Sequence, residues 1–161
     1  MNKVIVIGCP GSGKSTFARA LRDITGLPLY YLDMIWHKPD KTTVTRGEFD
    51  STLAEIVSGE KWIIDGNYQR TLPARLAACD TAFFLDYPLE VCLAGAEMRI
   101  GKPREDLPWI EPSFDPEFKQ YIVDFFSASR PEIYKLLDKQ DKQIHIFKSR
   151  EQARSYLSNL S

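Results

Sequence analysis

Eight residues near the start, Gly8-Cys9-Pro10-Gly11-Ser12-Gly13-Lys14-Ser15, constrain this chain more than any other stretch. They match the pattern G-x-x-x-x-G-K-[ST], and their setting counts as much as their identity. The β-branched run Val4-Ile5-Val6-Ile7 precedes them, and Phe17, Ala18, Ala20, Leu21 and Ile24 follow at helical spacing until Gly26 and Pro28. The pattern therefore reads as buried strand, glycine-rich turn, helix. Glycines let the backbone wrap an anion, so that successive N–H groups and the positive end of the helix face it. Gly8, Pro10, Gly11, Ser12, Gly13, Lys14, Ser15 and Thr16 are the candidate nucleotide ligands. In such a loop Lys14 reaches the β- and γ-phosphates of ATP, and Ser15 offers its hydroxyl to Mg²⁺.

Further short apolar runs repeat the strand signal. Leu29-Tyr30-Tyr31-Leu32, Trp62-Ile63-Ile64, Ala82-Phe83-Phe84-Leu85 and Ile144-His145-Ile146-Phe147 each have strand length. Helical stretches alternate with them. Thr45 and Glu48 form a capping box ahead of Phe49, Leu53, Ile56 and Val57. Leu89–Ile100 reads as a helix, Phe118–Leu137 as another that Pro131 kinks or breaks, and Ser149 with Gln152 caps a last one. Met34 to Val44 shows no clean period and is expected to be an ordered loop. Strands alternating with helices imply a doubly wound parallel sheet: a three-layer α/β/α sandwich of the P-loop NTPase type, with five parallel strands. The expected arrangement is one domain over residues 1–161, with a short lid around 100–116 where four prolines interrupt any helix.

Composition narrows the partners. Hydrophobic residues at 43% and charged residues at 27% are ordinary for a globular chain, and a net charge of −1 offers no basic surface for a nucleic acid. Cys9, Cys79 and Cys92 are far apart, odd in number and without metal-ligand spacing, so they read as reduced thiols. No stretch reaches membrane-spanning length and no signal-peptide pattern opens the chain. A soluble, cytoplasmic monomer or homodimer is expected, with ATP and a small-molecule acceptor as its partners.

Several residues are candidates for the chemistry. Asp65 and Asp86 each end an apolar run and are the two candidates for the magnesium carboxylate. Asp33, following the second strand, is placed to bind or deprotonate an acceptor, and Trp36 to stack on a base. Arg46 and Arg70 are the cations available to hold a phosphorylated acceptor. In the expected lid Arg99, Lys102 and Arg104 flank Gly101, and Arg130 lies on the following helix; Arg99 and Arg130 are the preferred pair for stabilising the transferring phosphoryl group. The lid holds no Cys or His pair for zinc.

The segments Leu32-Asp33-Met34-Ile35-Trp36-His37-Lys38-Pro39, Trp62 to Tyr68 and Leu85-Asp86-Tyr87-Pro88 resemble the topology modulation protein family, small P-loop proteins related to adenylate kinase. Ser129-Arg130-Pro131 ahead of Ile133 matches that family's C-terminal helix, so the resemblance spans nearly the whole chain. It implies a nucleoside-monophosphate-kinase-like fold, ATP binding and kinase activity. It also selects Asp65: in the strand-Asp-Gly segment of such kinases the aspartate orients metal-bound water and the following glycine, here Gly66 with Asn67 beside it, admits the acceptor. The reading expected is an ATP- and Mg²⁺-dependent phosphotransferase acting on a small acceptor, taken first as a nucleotide. The alternatives are a shikimate- or gluconate-type metabolite kinase using Asp33 on a hydroxyl, and a non-catalytic ATP-binding regulatory module.

Overall fold

A computed structural model describes residues 1–161. Its five strands are β1 Lys3–Gly8, β2 Leu29–Tyr31, β3 Trp62–Asp65, β4 Thr81–Leu85 and β5 Gln143–Phe147, and all neighbours run parallel in the order β2-β3-β1-β4-β5. Val4 through Ile7, Trp62 through Ile64 and Ala82 through Phe84 are fully buried. Continuous apolar runs suit the three central strands because helices cover both faces of a parallel sheet. The edge strands β2 and β5 are only partly buried.

Helices α1 Lys14–Thr25, α2 Leu32–Trp36, α3 Arg46–Val57, α4 Leu72–Ala78, α5 Leu89–Met98, α6 Pro116–Asp124, α7 Arg130–Asp138 and α8 Arg150–Leu160 connect and cover the sheet. Local chemistry sets most of their ends. The capping box is present on α3: Thr45 accepts from the Glu48 N–H while the Glu48 side chain accepts from the Thr45 N–H. Ser149 caps α8 by accepting from the Gln152 N–H. Gly26, at φ 75°, closes α1 in the left-handed conformation that a side chain disfavours.

Three local features depart from the sequence reading. The expected loop after β2 begins with the helical turn α2, which carries Asp33 in its first turn and Trp36 at its end. A 3₁₀ turn, Gln69–Thr71, leads into the unexpected α4, started by Pro73 where a missing N–H costs nothing. The stretch expected as one kinked helix is α6 and α7 joined by a π-helical turn, Phe125–Ser129. Pro131 lacks an N–H and its ring collides with the carbonyl four residues back, so the chain widens just ahead of it. Residues 101–115 carry no regular element. No helix is long and apolar enough to cross a membrane.

Candidate active site

The glycine-rich loop leaves the carboxyl end of β1, where β3 and β4 flank it. Gly11 and Gly13 take φ 85° and 92°. Gly11 is also sterically committed, since a Cβ there would lie 2.0 Å from the Cys92 carbonyl oxygen. Gly95 of α5 faces it in turn, its own Cβ position falling 2.1 Å from the Gly11 carbonyl oxygen. Backbone therefore packs on backbone, and the loop's shape is set by α5 as well as by its own glycines. On the other side Asn67 clamps Gly8: its amide oxygen accepts from the Gly8 N–H at 3.0 Å and its amide nitrogen donates to the Gly8 carbonyl at 2.7 Å.

Buried Arg75 holds the segment after β3. Its guanidinium donates to the Gly66, Asn67 and Tyr68 carbonyls and to Thr71 Oγ1, and burial lowers its pKa to about 10. A charge this deep is tolerated because every face of the guanidinium finds an acceptor. Arg75 has no counterpart in the sequence reading; α4, which carries it, has no period to reveal it.

At the end of β3 the two expected metal residues meet. Ser15 Oγ donates to Asp65 Oδ2 at 2.5 Å, while Asp65 Oδ1 is buried without any partner. Burial raises the Asp65 carboxyl to about 6, against the pull of Lys14 and Ser15. A serine hydroxyl beside one partly satisfied carboxylate suits Mg²⁺, which keeps several waters and takes its remaining ligands from phosphate. Ser15 and Asp65 would hold the ion, and no group of three or more acidic, His or Cys side chains competes as a metal site.

Asp86, the other carboxylate, is committed elsewhere. It accepts from Arg130 Nε and Nη2 at 2.7 and 2.9 Å, from Lys148 Nζ at 2.7 Å and from the Tyr134 hydroxyl. Burial alone would raise its carboxyl, but these donors hold it down at about 2. The same cluster pairs Arg130, which lines neither of the cavities described next.

Two cavities meet across the loop. The first, about 640 Å³, runs over Gly11 to Thr16 and is walled by Arg19, Arg150 and Arg154. The second, about 520 Å³, holds Asp33, Trp36, Gly66 and Asn67 from the sequence reading. Lys14, Arg99, Arg104 and Asp106 line both and form the frontier between them. Asp33 Oδ1 accepts from the Tyr68 hydroxyl at 2.6 Å, leaving Oδ2 without a protein donor. Burial and the Asp33 charge both push the Tyr68 hydroxyl up, so it stays protonated and keeps donating. Arg104 donates to Asp106 at 2.9 Å and to Glu111 at 3.1 Å. Arg99 approaches Glu111 only to 4.0 Å, its Nε has no partner, and burial lowers its pKa.

Arg46 and Arg70 are not brought to either cavity. Arg70 forms a two-bond pair with Asp50, at 2.7 and 3.2 Å, on an exposed face, and Arg46 is exposed at the start of α3. In the 3₁₀ turn Gln69 still lines the second cavity, while Arg70 is drawn to Asp50 of α3. Sequence reasoning missed Asp106 and Trp109 of the second cavity and Arg150 and Arg154 of the first. The last two follow a strand end, the one signal that marks them.

No protein-family model matches the chain, and no curated protein matches it in sequence. Solved structures match over nearly all of it. A shikimate kinase from Acinetobacter baumannii in complex with shikimate aligns with TM-score 0.65 at 15% identity, covering 99% of this chain and 90% of that one. A shikimate kinase from Bacteroides thetaiotaomicron aligns at 0.62 and 19%, covering 98% and 94%. A gluconokinase from Sinorhizobium meliloti 1021 aligns at 0.59 and 17%, covering 99% and 91%. The chain thus has the P-loop α/β fold of small kinases.

Proposed function

We propose that this protein is a kinase that transfers the γ-phosphoryl group of ATP to a hydroxyl of a small molecule held in the second cavity. The observation that carries the reading is Asp33. It stands across the Lys14–Arg99 frontier from the phosphate loop, oriented by Tyr68 and with one carboxylate oxygen free. A hydroxyl acceptor arrives with its proton and needs such a base, whereas a phosphate acceptor does not. The neighbours in structure, two shikimate kinases and a gluconokinase, act on hydroxyl-bearing molecules, in keeping with this. A nucleotide acceptor finds less support, since Arg46 and Arg70 lie outside the cavity.

In the reaction, ATP lies along the first cavity with its phosphates on the loop N–H groups and Lys14. Mg²⁺ at Ser15 and Asp65 would offset charge on the β- and γ-oxygens. Asp33 Oδ2 takes the proton as the acceptor oxygen bonds to the γ-phosphorus, and the bond to the β-phosphate oxygen breaks to release ADP. Arg99, short of a carboxylate partner, is free to bind the equatorial oxygens as charge spreads over them. The loop at 101–115, which carries Arg104 and Asp106, acts as the lid that excludes water. Resemblance to the topology modulation protein family supports ATP use without naming the acceptor.

The test is ADP formation from Mg·ATP with hydroxyl metabolites and nucleoside monophosphates as acceptors. Asp33→Asn is expected to lower kcat by roughly 10²–10⁴-fold while the KM for ATP holds. A monophosphate acceptor whose turnover survives Asp33→Asn would overturn the reading, and a chain that binds Mg·ATP yet turns over no acceptor would be the regulatory module instead.

A further inference from the structure

Resting on the kinase reading, the charge and shape of the second cavity carry a finer conclusion. We infer that the acceptor is an alcohol built on a flat ring and bearing no anionic group of its own, in the class of nucleosides and hydroxymethyl-heteroarenes.

Charge is the first reason. Every cation on that cavity, Lys14, Arg99 and Arg104, lies on the frontier shared with the nucleotide. Lys14 belongs to the phosphates by its place in the loop. Arg104 is saturated by Asp106 and Glu111. Arg99 alone lacks a hydrogen-bonded carboxylate, and it stands where the transferred group must pass. What remains on the acceptor side proper offers no free Lys or Arg: His37, Asp33, and Glu111, which is paired with Arg104. A second anion placed there would face the Asp33 carboxylate with no free Lys or Arg to offset it.

Aromatic surface is the second reason, and it is independent of the first. Trp36, Tyr68, Trp109, Phe118, Tyr121 and Phe125 all reach the cavity. They are held as a set. Tyr68 stacks on Phe49 at 5.2 Å and 24°, and Tyr121 on Phe118 at 6.2 Å and 16°. His37 meets Trp109 edge-on at 5.1 Å. Tyr121 nevertheless stays 53% exposed, apolar area that a bound ring would cover. A polyhydroxylated acid would gain little from such walls, whereas a planar ring gains contact area and favourable quadrupole geometry.

Purified protein with Mg·ATP would be offered adenosine, guanosine, cytidine, thymidine and 3-(hydroxymethyl)pyridine, and in parallel AMP, dTMP, shikimate and gluconate. At least one ring alcohol is expected to accelerate ADP formation a hundredfold or more over the acceptor-free rate, while its phosphorylated form does not. For that alcohol Trp109→Ala should raise KM tenfold or more with the KM for ATP unchanged, and Trp109→Phe should restore most of the loss. The inference is overturned if an anion of the second group is the better acceptor, or if no ring alcohol accelerates ADP formation. An anion of the second group that drives ADP formation lost in both Lys14→Met and Asp33→Asn would leave the kinase reading standing while overturning the ring alcohol, and Lys14-dependent Mg·ATP binding with no turnover of any acceptor would remove both.

Discussion

Asp65 pays at the level of one residue for what it does in the site. Its folded pKa of about 6 lies above the ordinary 3.8, so between those values the native state holds a proton the unfolded chain has released. Stability therefore falls as pH rises through that window, and the full cost is present above about pH 6. Asp65→Asn keeps the acceptor for Ser15 and removes the charge. It should raise the stability of the ligand-free protein at pH 7.5 by on the order of 1–3 kcal/mol while cutting Mg·ATP turnover at least a hundredfold. Denaturant melts paired with an ADP assay would show both, and a variant less stable than wild type at pH 7.5 would count against the buried, unpartnered Oδ1. Asp86 has the opposite sign. With a folded value of about 2, it stabilises the native state above pH 3.8, and that contribution is lost as pH falls toward 2. Asp86→Asn leaves Arg130, Lys148 and Tyr134 without their common anion. A loss of about 2 kcal/mol near neutral pH is expected, shrinking below pH 4. If turnover collapses while stability holds, Asp86 belongs to the chemistry after all.

Among the elements, the contact between α5 and the phosphate loop reverses an ordinary rule. Replacing a helix-interior glycine by alanine usually stabilises by about 1 kcal/mol. At Gly95 the added carbon would sit 2.1 Å from the Gly11 carbonyl oxygen, so Gly95→Ala should destabilise by roughly 1–3 kcal/mol and weaken ATP binding tenfold or more. Nucleotide titration alongside denaturation checks both numbers; a more stable variant with unchanged affinity would mean the loop is not braced by α5. Elements of this kind also show what a sequence can reveal. All five strands, α1, the boxed α3 and the capped α8 are legible because each signal is local: a run, a cap, a period. The turn α2 is hidden because Leu32 also ends an apolar strand run, and α4 because seven residues led in by Pro73 show no period. The glycine-rich wall of the first cavity is legible for the same reason, since Gly11 to Ser15 are consecutive. The second cavity is legible only in part: Asp33, Trp36, Gly66 and Asn67 line it, whereas Arg46 and Arg70 do not. Whether an arginine serves the cavity depends on its partner in space, and Arg70 with Asp50, or Arg130 with Asp86, become visible as pairs only after folding.

Across the whole molecule, β1 lies at the centre of the sheet and both cavities open at the carboxyl ends of the strands around it. Alternating strands and helices make that placement expected, but the order β2-β3-β1-β4-β5 decides which loops share the frontier. The first cavity has a further property of long range. Arg150, Ala153, Arg154 and Leu157 of α8 wall it opposite residues of the loop and α1, and Arg150 Nη2 donates to the Gly11 carbonyl at 3.4 Å. During synthesis the phosphate loop emerges from the ribosome early, yet the wall facing it is among the later parts translated. On the kinase reading, ATP would meet its full set of wall contacts only once β5 has joined the sheet edge and α8 has folded back. Bound nucleotide would then stabilise the finished molecule more than its folding intermediates.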